Sequence, residues 1–192
     1  MASIKGSETE KNLLKAFAGE SQARNRYTFY AKAAQKDGFE QIAAVFLETA
    51  DHERQHAKRF FKHLEGGAVE ITAAYPAGKY EGTTAEHLAA AAAGEHEEWV
   101  ELYPAFADVA EKEGFKEAAQ TCRMVAKAEA MHEERYRKLL ANVENDQVFK
   151  KADKVKWMCR KCGYIHEGPT APKVCPTCTH PQSYFQVFAE NY

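Results

Sequence analysis

Apolar residues recur at helical spacing through most of the first 144 residues, with three interruptions. Ser7-x-x-Glu10 has the form of a capping box and opens a first helix that runs to about Asp37 and stops at Gly38. A second helix runs from about Glu40 to Leu64 and ends at Gly66-Gly67. Residues 66–83 are rich in Gly, Pro and Thr and lack a helical period, so they read as one long connection. Thr83-x-x-Glu86 caps a third helix ending near Gly114, and a fourth starts near Phe115 and runs to about Glu144. At ~1.5 Å per residue such helices are roughly 40 Å long.

Two short links around one long link describe an all-α four-helix bundle whose middle connection crosses over, as in ferritin-like folds. This domain is expected over residues 1–146, with a charged linker at 147–156. From Trp157 the pattern changes to cysteines, prolines and aromatics without helical runs, which marks a small second domain over 157–192.

The two helix pairs look like copies. Adding 76 to each position from 27 to 64 gives the same residue at 13 of 38 places, far above chance. The matches include Tyr27 with Tyr103, Gly38-Phe39 with Gly114-Phe115, Glu53 with Glu129 and His56 with His132. Upstream the offset is 75, pairing Ala18-Gly19-Glu20 with Ala93-Gly94-Glu95. A helix usually absorbs one extra residue as a π-bulge. One is therefore expected between Glu95 and Tyr103, although Pro104 can kink that helix by itself.

Glu53-x-x-His56 and Glu129-x-x-His132 each put a carboxylate and an imidazole on one helix face. Alone, either motif reads as a solvated face; the repeat sets both in register, with Glu20 and Glu95 matched on the partner helices. One Glu from each of two helices and Glu-x-x-His from each of the other two is the donor set of carboxylate di-metal bundles. Oxygen and imidazole donors suit iron or manganese. Glu98 follows Glu95 by one turn, where the first half has Ala23, and is a seventh candidate ligand or a surface glutamate. Tyr27 and Tyr103 are candidates to hydrogen-bond the carboxylates, or plain core residues. His52, His63, His87 and His96 lack repeat mates and read as ordinary polar residues. Cys122 pairs with Phe46 and reads as buried and structural.

Cys159-x-x-Cys162 and Cys175-x-x-Cys178 give tetrahedral thiolate ligation for one zinc or iron. Iron is favoured by the knuckles Cys162-Gly163-Tyr164 and Cys175-Pro176. The composition, 45% hydrophobic and 28% charged with a net charge of −2, has no basic block for nucleic acid. Met1–Lys11 is polar and the strongest apolar run, Leu88–Ala93, is too short to span a bilayer, so no membrane is implied and the cytoplasm is the expected location. No Gly-rich dinucleotide fingerprint occurs.

From end to end the chain resembles the rubrerythrins. The resemblance is carried by Ala18-Gly19-Glu20-Ser21-Gln22-Ala23, Glu53-x-x-His56, Gly94-Glu95-x-x-Glu98, Glu129-x-x-His132 and the module from Cys159 to Cys178. It implies a homodimeric non-haem peroxidase that protects against oxidative stress by reducing hydrogen peroxide to water. It implies two irons in the bundle, bridged by Glu53 and Glu129, with Glu20 terminal on one and Glu95 and His132 on the other. Glu98 and His56 would exchange, the first bound when oxidised and the second when reduced. A third iron, on the cysteines, would relay electrons from an external rubredoxin or NAD(P)H-dependent reductase, crossing between subunits. The alternatives are an iron-oxidising or iron-storing protein and a helical scaffold bearing a zinc ribbon.

Overall fold

The computed structural model describes residues 3–190. Helices α1 (Glu8–Lys36) and α2 (Glu40–Phe61) form one antiparallel pair. An irregular crossover over 62–83 leads to α3 (Thr84–Glu97), a π-helical segment (Glu98–Leu102), α4 (Tyr103–Lys112) and α5 (Lys116–Glu144). The expected caps form: Ser7 accepts from the Glu10 N–H, and Thr83 and Glu86 make a reciprocal capping box. Gly38 and Gly114, matched by the repeat, both take φ of +87°, the left-handed conformation that ends a helix and lets the chain reverse. The second helix ends at Phe61, three residues short of Leu64, where single turns at His63 and Leu64 replace the α ladder.

The third helical stretch is interrupted where the offset changes. The Tyr103 N–H bonds to the Glu98 carbonyl, an i→i+5 step. The rotation explains its use. At 3.6 residues per turn, seven residues leave Tyr27 roughly 20° from the bearing of Glu20, whereas eight would put Tyr103 roughly 80° from Glu95. The wide turn absorbs the extra residue, so Tyr103 regains the bearing that Tyr27 has. Pro104 follows, where a missing N–H could not have continued the α ladder.

Two apolar clusters fill the bundle. One contains Tyr27, Tyr30, Phe46, Leu88 and Tyr136; the other contains Leu13, Phe60, Tyr103, Ala107 and Cys122. Along every long helix the candidate ligands fall between residues of the first cluster and residues of the second. The polar layer is therefore sandwiched, and alanines one turn from it, such as Ala16, Ala91 and Ala92, let the helices approach closely around it.

After α5, strands β1 (Lys150–Cys159), β2 (Ile165–Thr170) and β3 (Phe185–Val187) make an antiparallel sheet in the order β2-β1-β3. β1 begins at Lys150, so most of the stretch expected as linker is strand. Five charged residues between Lys150 and Lys156 hid it, because both faces of that stretch are largely open to solvent and show no apolar period. Trp157, Ala171 and Phe185 form the small core, and the Trp157 indole N–H donates to the Gly168 carbonyl at 2.9 Å. Among the described residues no helix is long and apolar enough to cross a membrane.

Candidate metal centres

Four helices deliver six side chains to the polar layer: Glu20 from α1, Glu53 and His56 from α2, Glu95 from α3, and Glu129 and His132 from α5. Their donor atoms fall into two groups, Glu20, Glu53, His56 and Glu129, and Glu53, Glu95, Glu129 and His132, each within 4.8 Å. The shared residues split their oxygens. Glu53 turns Oε2 to His56 Nδ1 (3.0 Å) and Oε1 to His132 Nδ1 (3.3 Å). Glu129 turns Oε1 to His56 Nδ1 (2.8 Å) and Oε2 to His132 Nδ1 (2.7 Å). Glu20 approaches His56 alone, and Glu95 approaches His132 alone. Two ions placed in the two groups could thus be bridged by Glu53 and Glu129 and capped by the other four residues.

The residues fit such ions. Glu20, Glu53, Glu95 and Glu129 are all at most 1% exposed. Glu20 Oε2, Glu53 Oε1, Glu95 Oε2, both oxygens of Glu129 and His132 Nδ1 have no hydrogen-bond partner. Both Glu129 oxygens lie within 3 Å of an imidazole nitrogen without forming a hydrogen bond to it. Burying four carboxylates that each keep at least one unpartnered oxygen is tolerable only if protons or cations neutralise them. The electrostatics agree. Burial, then the charges of Glu129, Glu53 and Glu98, push Glu20 well above the usual carboxylate range. Burial and Glu53 push Glu95 up to about 8. Burial acts against the charge on His56, but Glu129 and Glu53 outweigh it and raise the imidazole to about 9; His132 is raised in the same way.

Tyr27 donates to Glu95 Oε1 at 2.5 Å, and Tyr103 donates to Glu20 Oε1. Each tyrosine serves the glutamate of the opposite half, so the repeat is a working two-fold. Glu98 behaves differently: it belongs to neither donor group, is half-buried, and lines a cavity of about 320 Å³ with Gly19, Gln22, Gly94, Tyr103 and the crossover residue Tyr75. The Tyr75 hydroxyl pins that crossover by donating to the Lys15 carbonyl at 2.9 Å.

One residue read as ordinary belongs to the centre. His52 Nδ1 lies 3.1 Å from His132 Nε2, the nitrogen facing away from the carboxylates. Burial and His132 hold the His52 imidazole below its usual range. Its spacing of four from His56 puts it on the right side of α2, but nothing local names a partner eighty residues away. Of the other three, His96 with Trp99 holds the buried Glu133, His87 stacks on Tyr30, and His63 pairs with Thr121.

In the small domain all four cysteine sulfurs lie within 4.8 Å of one another. Cys159 and Cys178 are 3.7 Å apart, and Cys162 and Cys175 are 3.6 Å apart. A disulfide would need ~2.05 Å. Four sulfurs at ~2.3 Å from one tetrahedral metal would lie ~3.8 Å apart, close to what is seen. Each knuckle turns the same way: the Gly163 N–H returns to the Cys159 carbonyl, and the Thr179 N–H to the Cys175 carbonyl.

Comparison with known proteins matches this geometry. The rubrerythrin family model matches residues 11–140, and the model of the rubrerythrin rubredoxin-like domain matches residues 157–186. Rubrerythrin of Porphyromonas gingivalis is 62% identical over 190 residues, 99% of this chain and 94% of that protein. Rubrerythrin of Nitratidesulfovibrio vulgaris is 53% identical over 192 residues, covering 100% of both. The fully reduced, all-ferrous structure of nigerythrin superposes with a TM-score of 0.63 at 33% identity, over 96% of this chain and 91% of that one. With a carboxylate–histidine site fitted to two irons and a four-cysteine site fitted to a third, this chain belongs to the rubrerythrin family of di-iron proteins involved in oxidative stress.

Proposed function

We propose that this chain is a cytoplasmic peroxidase that reduces hydrogen peroxide to two waters, consuming two electrons and two protons. The observation that carries the reading is one chain holding a buried di-iron donor set beside a small cavity, with a separate thiolate iron site to resupply electrons. The irons, when bound, supply the two electrons that the O–O bond takes up as it breaks.

The residues divide the remaining work. Glu20, Glu53, Glu95, Glu129 and His132 would hold the irons, with Glu53 and Glu129 shared between them, and Glu98 and His56 would alternate. His56 lies among the donors and Glu98 lines the cavity, which supports the alternation that the family resemblance implies. Tyr27 and Tyr103 hold Glu95 and Glu20 in place by their hydroxyl protons. Glu98, whose carboxyl burial and Glu95 push well above the usual range, can carry a proton at the cavity where peroxide enters. The apolar clusters on either side exclude bulk water.

The electron route favours a homodimer. The small domain meets its own bundle near the start of α2, where Phe39 and Phe149 stack with centroids 6.0 Å apart. Glu53 lies thirteen residues further along that helix, ~20 Å away. In this reading the electrons therefore come from a partner's cysteine iron, loaded by an external donor. Anaerobic stopped-flow mixing of the fully reduced chain with hydrogen peroxide tests the activity. Oxidation of the bundle irons within milliseconds, then of the cysteine iron, is the expected result. No reaction, or mineralisation of added ferrous iron instead, would reject it.

A further inference from the structure

We infer that His52 is a positioning residue that fixes the tautomer and orientation of His132, and that the lack of its equivalent beside His56 leaves only that half of the centre free to exchange its imidazole. The inference rests on the di-metal reading of the bundle and on Glu98–His56 exchange, but not on peroxide chemistry.

His132 turns Nδ1 to the carboxylates and Nε2 to His52. A lone pair given to a metal from Nδ1 leaves the ring proton on Nε2, where His52 Nδ1 accepts it at 3.1 Å. The His52 proton then sits on Nε2, facing Glu48 Oε1 at 4.0 Å. Glu48 is held by Arg135 Nη1 at 3.2 Å, and Arg135 Nη2 donates to Thr49 Oγ1 at 2.8 Å. Thr49 in turn donates to the Val45 carbonyl. A polar chain therefore runs from His132 to the surface, fixing the ring from behind. Such outer hydrogen bonds orient a ligating imidazole and raise its basicity.

The repeat supplies the control. Its two-fold carries His132 onto His56, and carries Glu48, Thr49 and His52 onto Met124, Val125 and Ala128. Every polar member that α2 contributes to the chain behind His132 becomes apolar behind His56. Among the described residues no side chain hydrogen-bonds His56 Nε2; its bonded nitrogen is Nδ1. Two imidazoles that the fold makes equivalent are thus held by different means, and the unanchored one is the one that the proposed exchange pairs with Glu98.

Anaerobic titration of the full chain with Co(II) tests this without turnover, since the cysteine site reads separately through its thiolate bands. The wild-type bundle should take two ions; failure there would remove the di-metal reading itself. In His52→Ala, one bundle ion should weaken by about 10- to 100-fold while the other stays within about 2-fold. His52→Asn, whose amide oxygen can accept from His132 Nε2, should recover most of the loss. Ala128→His, at a half-buried position, should tighten the other ion several-fold. Equal weakening of both ions, no weakening in His52→Ala, no recovery in His52→Asn, or an unchanged pair of affinities in Ala128→His would each overturn the inference.

Discussion

The two metal centres of this chain are built on opposite principles. The cysteine site takes its four ligands from two turns between Cys159 and Cys178, each closed by its own backbone hydrogen bond. The bundle site takes its ligands from four helices between Glu20 and His132, and no two adjacent turns could form it. The first site is a local structure with a small core around it, so the metal contributes directly to folding. The second is an electrostatic burden placed between two apolar clusters that already hold the helices. Metal completes that bundle; it does not create it.

The largest test of this contrast is to remove each site in turn. Cys162→Ser should abolish the ferric-thiolate absorption and loosen the small domain, leaving the bundle irons loaded. Glu53→Ala should empty the bundle of iron and leave the thiolate spectrum unchanged. Loss of both centres in either variant, read by metal analysis and absorption, would show that residues 1–146 and 157–192 are not separable. Mixed dimers of the two variants should regain turnover at one site; inactivity would place electron transfer within a chain.

A second test uses pH. In the metal-free chain Glu95 is raised to about 8, and Glu20 and Glu98 are also raised. The folded state then holds protons that the unfolded state releases above about 4.5, so stability falls as pH rises from there to about 8. His56, raised to about 9, adds stability that is full below about 6.5 and lost as pH rises through about 9. Glu53, drawn down to about 2 by its histidine bonds against the effect of burial, opposes this only below about 4.5. The chelated protein should therefore lose at least ~3 °C in Tm between pH 5 and 9, about what 1 kcal/mol produces at this size. The iron-loaded protein should lose less, because cations replace the protons. Parallel thermal melts decide it, and equal slopes would contradict the neutralising role of the metals.

The two tyrosines give a smaller, symmetric effect. Tyr27→Phe and Tyr103→Phe each leave one buried carboxylate oxygen without its donor, at a cost of about 1–3 kcal/mol. Denaturant unfolding should give similar losses for both, and a large inequality would break the two-fold account of the bundle. Smallest is the contrast between the cysteine knuckles. Gly163 takes φ of +79° and Thr179 takes +59°. Thr179→Gly should stabilise the small domain by up to about 1 kcal/mol, and Gly163→Ala should destabilise it by about 1–2 kcal/mol.

The sequence alone determined whatever is written in local spacing or in the repeat. Helical period and caps set seven of the eight ends of the four helical stretches to within a residue or two. The Cys-x-x-Cys pairs announced a metal site because their ligands are neighbours in the chain. The change of offset between Glu20/Glu95 and Tyr27/Tyr103 located the π segment, since one inserted residue must be absorbed before the facing of the helix can be restored. The resemblance to the rubrerythrins supplied the family.

The tertiary structure decided what depends on distance across the bundle. It paired Tyr27 with Glu95 and Tyr103 with Glu20, each across the two-fold, where sequence offered only two tyrosines on suitable faces. It divided the oxygens of Glu53 and Glu129 between two donor groups, and it left Glu98 in a cavity roofed by a crossover that has no pattern of its own. It also gave His52 a partner. A histidine beside a helix face carries no record of what another helix brings against it, because that contact arises only when α2 and α5 pack.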